Sequence, residues 1–193
     1  VQGPDTIDLI QDKFDIPEKF STNFSENYLY ARTGYTGEDG VEIMANNEDA
    51  ESLLTFLIEK GIKPCGLGSR DTLRLEASLP LYGFELSEDI TPVEASLTWT
   101  ITNKTDYLGS KRINDQLSGE SHKVLKKFII NSRKIARTGT VGIAGETKGL
   151  VTSGNFSPIL NKSIGFILFE NMPSQDLIEF DIRGNLIEGN IVN

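Results

Sequence analysis

The sequence of 193 residues contains only one cysteine, Cys65, and one histidine, His122. A single thiol cannot form an internal disulfide, so nothing in the composition indicates an oxidising compartment. These two residues are also too few to supply the ligands of a Cys–His zinc site, and we expect no metal. His122 would have to serve any catalytic triad, but it lies in the polar stretch 118–123, which is typical of a surface connection.

Basic residues and long apolar runs are scarce as well. The chain carries 19 Lys and Arg against 28 Asp and Glu, a net charge of -9. Because phosphate binding needs clustered basic side chains, this balance argues against a nucleic-acid partner. No run approaches the roughly 18 apolar residues that span a bilayer, so we expect no membrane partner. The composition is that of an ordinary soluble globular protein.

The chain begins with Val1-Gln2-Gly3-Pro4 rather than with methionine. These residues resemble neither a signal peptide nor a transit peptide. We therefore expect the sequence to be part of a longer chain.

The first part of the sequence mixes helical and strand patterns. Apolar spacings of three and four predict helices, with Ser69 as the N-cap of the third. Two strand-like segments flank the glycine-rich stretch 34–40, which predicts a hairpin with an irregular connection. The predicted helices cover 7–14, 48–60 and 69–77, and the predicted strands cover 28–32, 41–44 and 97–101.

After about residue 118 the pattern changes to short strands separated by turn residues. Several short strands at near-regular spacing predict a small antiparallel β-barrel or sandwich. The predicted class is therefore α+β, with an α/β region at 1–117 and a barrel domain at 118–193. The predicted strands are 125–131, 139–144, 149–153, 163–169, 177–181 and 186–192.

The strongest candidates for binding a ligand are Glu42 and Arg70. Glu42 alternates with apolar neighbours in a predicted strand, so it is either a solvated side chain or a carboxylate presented to a pocket. A glutamate in a pocket can accept two parallel hydrogen bonds from an amino-imine edge. Arg70 is either a surface helix residue or a fork for a carboxylate or carbonyl. The glycine spacings fit neither a dinucleotide-binding nor a Walker motif.

Three longer stretches resemble the aminomethyltransferase family, the T-proteins of the glycine cleavage system. The resemblance implies a folate-binding fold in which the one-carbon unit of an aminomethyl group passes to tetrahydrofolate, with release of ammonia. It also implies lipoylated H-protein as the partner that carries this group. The stretches are 32–43 (RTGYTGEDGVEI), 65–94 (from CGLGSRDTLRLEA to DITPVE) and 151–158 (VTSGNFSP).

Matching the motifs residue by residue assigns Glu42 to the pterin and Arg70 to a second folate contact. Tyr35 matches an aromatic residue that lines the same pocket. The family's catalytic aspartate precedes Gln2-Gly3-Pro4 and is expected before residue 1, so no catalytic residue is assigned here. We accordingly expect the isolated chain to bind tetrahydrofolate weakly and to transfer nothing.

The sequence departs from the family pattern at Ser78 and Ser96, where glycine is common. Two alternatives stay open beside a T-protein: another folate-dependent demethylase or methyltransferase of the same fold, and a folate-binding module without catalysis. The expected compartment is the bacterial cytoplasm, or the mitochondrial matrix for a eukaryotic source.

Overall fold

A computed structural model describes residues 1–25, 27–102 and 107–192. By compactness the chain divides into two units, Val1–Leu79 and Pro80–Asn193. The predicted boundary at 117/118 falls inside the second unit, in the connection between a helix and the first barrel strand, and it stays a prediction.

The first unit contains three helices and a three-stranded antiparallel sheet with the order β1-β2-β3. The predicted hairpin is confirmed, since β2 pairs with β3 and places Ala31 opposite Glu42. The first predicted helix ends earlier than expected, and the edge strand β1 was missed. The elements are α1 Thr6–Ile10, β1 Thr22–Phe24, β2 Tyr28–Ala31, β3 Glu42–Ala45, α2 Asn47–Glu59 and α3 Leu67–Glu76.

The core of this unit forms where the sheet meets the helices. Phe14 packs edge-on against Tyr30, with ring centroids 5.2 Å apart. Ile10, Val41 and Leu53 complete the buried cluster. Because Val41 faces this core, the strand alternation turns the next residue, Glu42, to the exposed face of the sheet.

The second unit contains a closed antiparallel barrel with the strand order β4-β7-β6-β5-β8-β9, and β9 pairs back to β4. The predicted barrel and the α+β class are confirmed. The elements of the second unit are a 3-10 helix Thr98–Thr100, α4 Ser110–Leu117, β4 Val124–Ile130, β5 Val141–Ala144, β6 Thr147–Ser157, β7 Lys162–Phe169, β8 Leu177–Ile182 and β9 Asn185–Val192.

The strand predicted at 97–101 is wrong, because residues Thr98–Thr100 form a 3-10 turn. Alternating polar and apolar residues do not make a strand where no neighbouring strand offers a ladder, and here the Ile101 N–H closes back on the Thr98 carbonyl at 3.0 Å. Trp99, within this turn, is 81% exposed.

A β-bulge in β6 ties the barrel to the segment before it. The register shifts between Val151 and Ser153, which leaves Thr152 without a ladder partner. The Thr152 hydroxyl donates to the fully buried carboxylate of Glu85 at 2.6 Å. The Leu81 N–H donates to the other oxygen of that carboxylate at 2.9 Å. Thr152, in the motif at 151–158, therefore makes a structural contact within this unit.

Candidate functional site

A bidentate ion pair between Arg32 and Asp39 closes the glycine-rich connection between β2 and β3. Arg32 donates from Nε and Nη2 to the two carboxylate oxygens of Asp39, at 3.2 and 2.7 Å. This fork geometry lowers the pKa of Asp39 to about 2, chiefly through the hydrogen bond from Arg32. The pair fixes the two ends of the loop that carries Tyr35.

The same loop packs closely on the end of α3. Gly37 has φ +79° and lies so near Ala77 that an added Cβ would come within 2.8 Å of the Ala77 Cβ. A side chain at Gly37 would therefore be strained and would collide. Two residues earlier, the Tyr35 hydroxyl donates to the Leu79 carbonyl at 3.4 Å. Together these contacts set the position of the loop against the helix.

Arg70 and Tyr35, two of the predicted site residues, are in contact. The Arg70 guanidinium carbon lies 4.6 Å from the centroid of the Tyr35 ring, which is a cation–π arrangement. Arg70 is exposed and Tyr35 is half-buried, so the charged fork remains accessible. The two side chains come from segments 35 residues apart, which the fold of the first unit brings together.

The predicted N-cap of α3 is wrong. The cap is Gly66, in an extended conformation, and Ser69 lies within the helix with its N–H donated to the Gly66 carbonyl at 3.0 Å. A serine that follows Gly66-Leu67-Gly68 resembles a cap in sequence, but glycine itself serves as an acceptable N-cap. The helix therefore starts two residues earlier, and Arg70 is its fourth residue.

Glu42, the third predicted site residue, is the first residue of β3 and is exposed. The Thr33 hydroxyl donates to its Oε2 at 2.5 Å. This bond orients the carboxylate and connects it to the loop that holds Tyr35, two residues beyond Thr33. Glu42 contacts Thr33 and Arg70 contacts Tyr35, and the convergence of Glu42 and Arg70 on one cavity stays a prediction.

Arg74 lies one turn beyond Arg70 in α3 and forms an ion pair with Asp71, with Nη2 and Oδ1 2.9 Å apart. The Arg74 side chain is nevertheless only 1% exposed. Its Nη1 also donates to the Leu79 carbonyl at 3.2 Å. Its neighbour Leu75 is buried too. In the sequence, Arg74 stands between Leu73 and Leu75, and these apolar neighbours were the signal that could have indicated its burial.

The other residues considered from the sequence lie in ordinary environments. His122 donates from Nδ1 to the Glu120 carbonyl at 2.7 Å, in the connection before the barrel. Cys65 is exposed and unbridged. Among residues 1–25, 27–102 and 107–192, no group of three or more His, Cys, Asp and Glu side chains is arranged to hold a metal ion.

The second unit contains a separate cleft that holds none of the predicted site residues. It has a volume of about 530 Å³ and is lined in part by Thr91, Pro92, Tyr107 and Arg112. Arg112 donates to the buried Glu94 carboxylate at 3.2 Å, so its guanidinium is engaged in joining α4 to the preceding turn.

Among the residues that the structure describes, the helices are all too short or too polar to span a bilayer.

The loop, β3 and α3 together fall within one known domain type. Residues 1–105 match the family described as the GCVT N-terminal domain. The chain belongs to this family. The resemblance expected from the motifs is confirmed, and the residues Tyr35, Glu42 and Arg70 all lie inside the matched segment of this GCVT chain.

Curated relatives and a solved structure extend the match over the whole GCVT chain. Proteins named aminomethyltransferase from Bacillus mycoides (strain KBAB4) and Thermosipho melanesiensis are 40% and 39% identical across all of this chain. The crystal structure of glycine cleavage system aminomethyltransferase T from Bartonella henselae matches with a TM-score of 0.85, at 26% identity over 96% of this chain. The chain spans 57%, 56% and 55% of the lengths of these three proteins.

Proposed function

We propose that this GCVT chain belongs to an aminomethyltransferase that passes a one-carbon unit from an aminomethyl donor to tetrahydrofolate. The observation that supports this most directly is the arrangement of the β2–β3 loop, where Arg70 rests on Tyr35 and Thr33 orients Glu42. The names of the relatives support the reaction, and the loop geometry supports the place where folate binds. All named relatives matched above are aminomethyltransferases, which favours this reading over a demethylase of the same fold.

Glu42 suits the amino-imine edge of a pterin. A carboxylate offers about four lone-pair sites on its two oxygens. Thr33 occupies one of these, on Oε2, and leaves capacity for two parallel N–H donors from the ring. Each charge-assisted hydrogen bond of this kind contributes about 1.5–3 kcal/mol.

Arg70 supplies a positive fork beside that edge. Its guanidinium is stacked on Tyr35, which restricts its rotamers and lowers the entropy lost on binding. The five N–H donors of the fork suit a carbonyl or carboxylate of folate. Tyr35 contributes as an aromatic wall held by the Leu79 carbonyl.

The remaining parts of the assignment follow from the family resemblance. The donor is proposed to be the aminomethyl group carried by the lipoyl arm of the H-protein. Its carbon passes to tetrahydrofolate, its nitrogen leaves as ammonia, and the lipoyl sulfur is left as a free dihydrolipoyl thiol. The catalytic aspartate is proposed to precede residue 1. The matched relatives are bacterial, and a cytoplasmic location stays a prediction.

The folate site is tested by calorimetry with tetrahydrofolate on the wild-type chain and on three variants. Glu42→Gln keeps the shape of the side chain and removes its charge, and Arg70→Met removes the fork. We expect each to weaken binding by about 10–150-fold, which corresponds to the loss of one charge-assisted hydrogen bond of about 1.5–3 kcal/mol. Glu38→Gln, an exposed glutamate in the same loop, is the matched control and should bind as wild type. Equal affinity across all four proteins would count against the site.

A further inference from the structure

Arg74 is the largest of the fully buried side chains in the described part of the chain, and it carries a charge. Burying a guanidinium costs several kcal/mol unless its donors are paired. Nε of Arg74 donates to Asp71 Oδ1 at 2.9 Å, and Nη1 donates to the Leu79 carbonyl at 3.2 Å. Asp71 keeps 40% of its side chain exposed, so the buried partner of this pair is the arginine.

The Leu79 carbonyl is the point where Arg74 and Tyr35 meet. It accepts from Arg74 Nη1 at 3.2 Å and from the Tyr35 hydroxyl at 3.4 Å, which uses both of its lone pairs. The backbone of Leu79 is also held through its N–H, which donates to the Arg74 carbonyl at 2.8 Å. Ser78, the residue before it, makes this turn possible by adopting φ +60°. This is the hydrogen-bonded end of α3.

Holding the Tyr35 hydroxyl also determines the tilt of its ring. The ring has only two side-chain torsions, and the hydroxyl lies at the far end from the backbone. Arg70 rests on the face of this ring at 4.6 Å. A shift of the Leu79 carbonyl therefore moves the Tyr35 ring and, with it, the surface that orients Arg70.

We propose that Arg74 is a positioning residue for the folate site, acting through the Leu79 carbonyl and Tyr35 on Arg70. The proposal rests on the proposed function in so far as Tyr35 and Arg70 contact folate. In this proposal the buried Arg74 side chain acts through these neighbours and not by contact with folate. Lysine cannot replace it, because a single ammonium on a flexible stem lacks the fork that reaches Asp71 and Leu79 together.

The positioning step is tested without folate by NMR of the whole chain. The side-chain protons of Arg70 lie over an aromatic ring, so ring current shifts them upfield in the wild type. Arg74→Lys should move these resonances towards the values of an unstacked arginine, and Tyr35→Phe, which removes only the hydroxyl, should move them in the same direction. Leu53→Ala destabilises the core of the same unit and should leave them in place.

The functional step is tested by the affinity of the folded proteins for tetrahydrofolate. We expect about 3–10-fold weaker binding for Arg74→Lys and for Tyr35→Phe, which is the range of one neutral hydrogen bond. Combining the two substitutions should bring no further loss. If the Arg74→Lys chain does not fold, Tyr35→Phe carries both measurements.

The outcomes separate the two proposals. Unchanged Arg70 resonances in Arg74→Lys and Tyr35→Phe, or an equal change in Leu53→Ala, would overturn the positioning role. Wild-type affinity in both variants, alongside a loss in Arg70→Met, would overturn it as well. A wild-type chain that shows the coupled resonances but does not bind tetrahydrofolate would refute the proposed folate site and leave the positioning contact standing.

Discussion

Replacing Gly37 with alanine tests whether the site loop is held by close packing on α3. At φ +79° an alanine is strained by about 1–2 kcal/mol, partly offset because alanine restricts the unfolded chain by about 0.4–1 kcal/mol. The new Cβ would also lie 2.8 Å from the Ala77 Cβ. Carbon atoms prefer about 3.5–4.0 Å, and overpacking of this kind costs about 1–3 kcal/mol.

Gly61 provides the matched control for this substitution. It has φ +86°, follows Lys60, the C-cap of α2, and an added Cβ there would meet nothing within 4 Å. Gly61→Ala therefore carries the strain without the collision and should cost about 1 kcal/mol. Gly37→Ala should cost about 2–4 kcal/mol, the sum of the strain and the overpacking. Adding Ala77→Gly to Gly37→Ala removes the colliding methyl group and should recover most of the difference.

The assay is urea unfolding followed by the NMR amide signals of Tyr30 and Val41, which are buried in the first unit. These signals report the free energy of unfolding of that unit alone, which matters because the chain divides into two units. Equal losses of stability in Gly37→Ala and Gly61→Ala would refute the packing argument. So would a double variant with Ala77→Gly that is no more stable than Gly37→Ala.

Two further predictions concern backbone strain and pH. Ser78→Gly should stabilise the chain by about 0.5–1 kcal/mol, because glycine relieves the strain at φ +60°. Ser96→Gly, at φ +58°, should bring no gain, because it also removes the hydrogen bond from the Ser96 hydroxyl to the Leu125 carbonyl at 2.7 Å. Thermal unfolding of both variants checks this contrast. The pKa of Asp39 is lowered to about 2 by Arg32, so the stability from this pair is present above about pH 4 and is lost as the pH falls towards 2. The free energies of unfolding of wild type and Asp39→Asn should therefore converge between pH 6 and pH 2.5, and a gap that is constant with pH would contradict this.

The hairpin and the barrel could be predicted because their information is local. The strand pairs that enclose the glycine-rich stretch, and the short strands after residue 118, follow from alternation and turn residues. Residues 97–101 show the limit of this reasoning. The same alternation occurs there, but a strand forms only where a partner strand is present, and none pairs with it in the described structure.

Within the candidate site, the identities of Tyr35, Glu42 and Arg70 came from motifs, while their contacts came from the fold. Nothing in the order of the residues indicates that Arg70 stacks on Tyr35 or that Thr33 binds Glu42. The burial of Arg74 was missed because an arginine in an amphipathic helix is usually solvated.

The sequence by itself determined the α+β class, the barrel, the family and the three residues proposed to bind folate. These depend on local periodicity and on motifs that are continuous in the chain. Only the tertiary structure decided which side chains meet, because the loop after β2 and the end of α3 are about 40 residues apart in sequence. They approach each other in the folded unit, where Gly37 packs on Ala77 and Tyr35 contacts Leu79. A contact between distant segments depends on the packing of the whole unit, which no local pattern encodes.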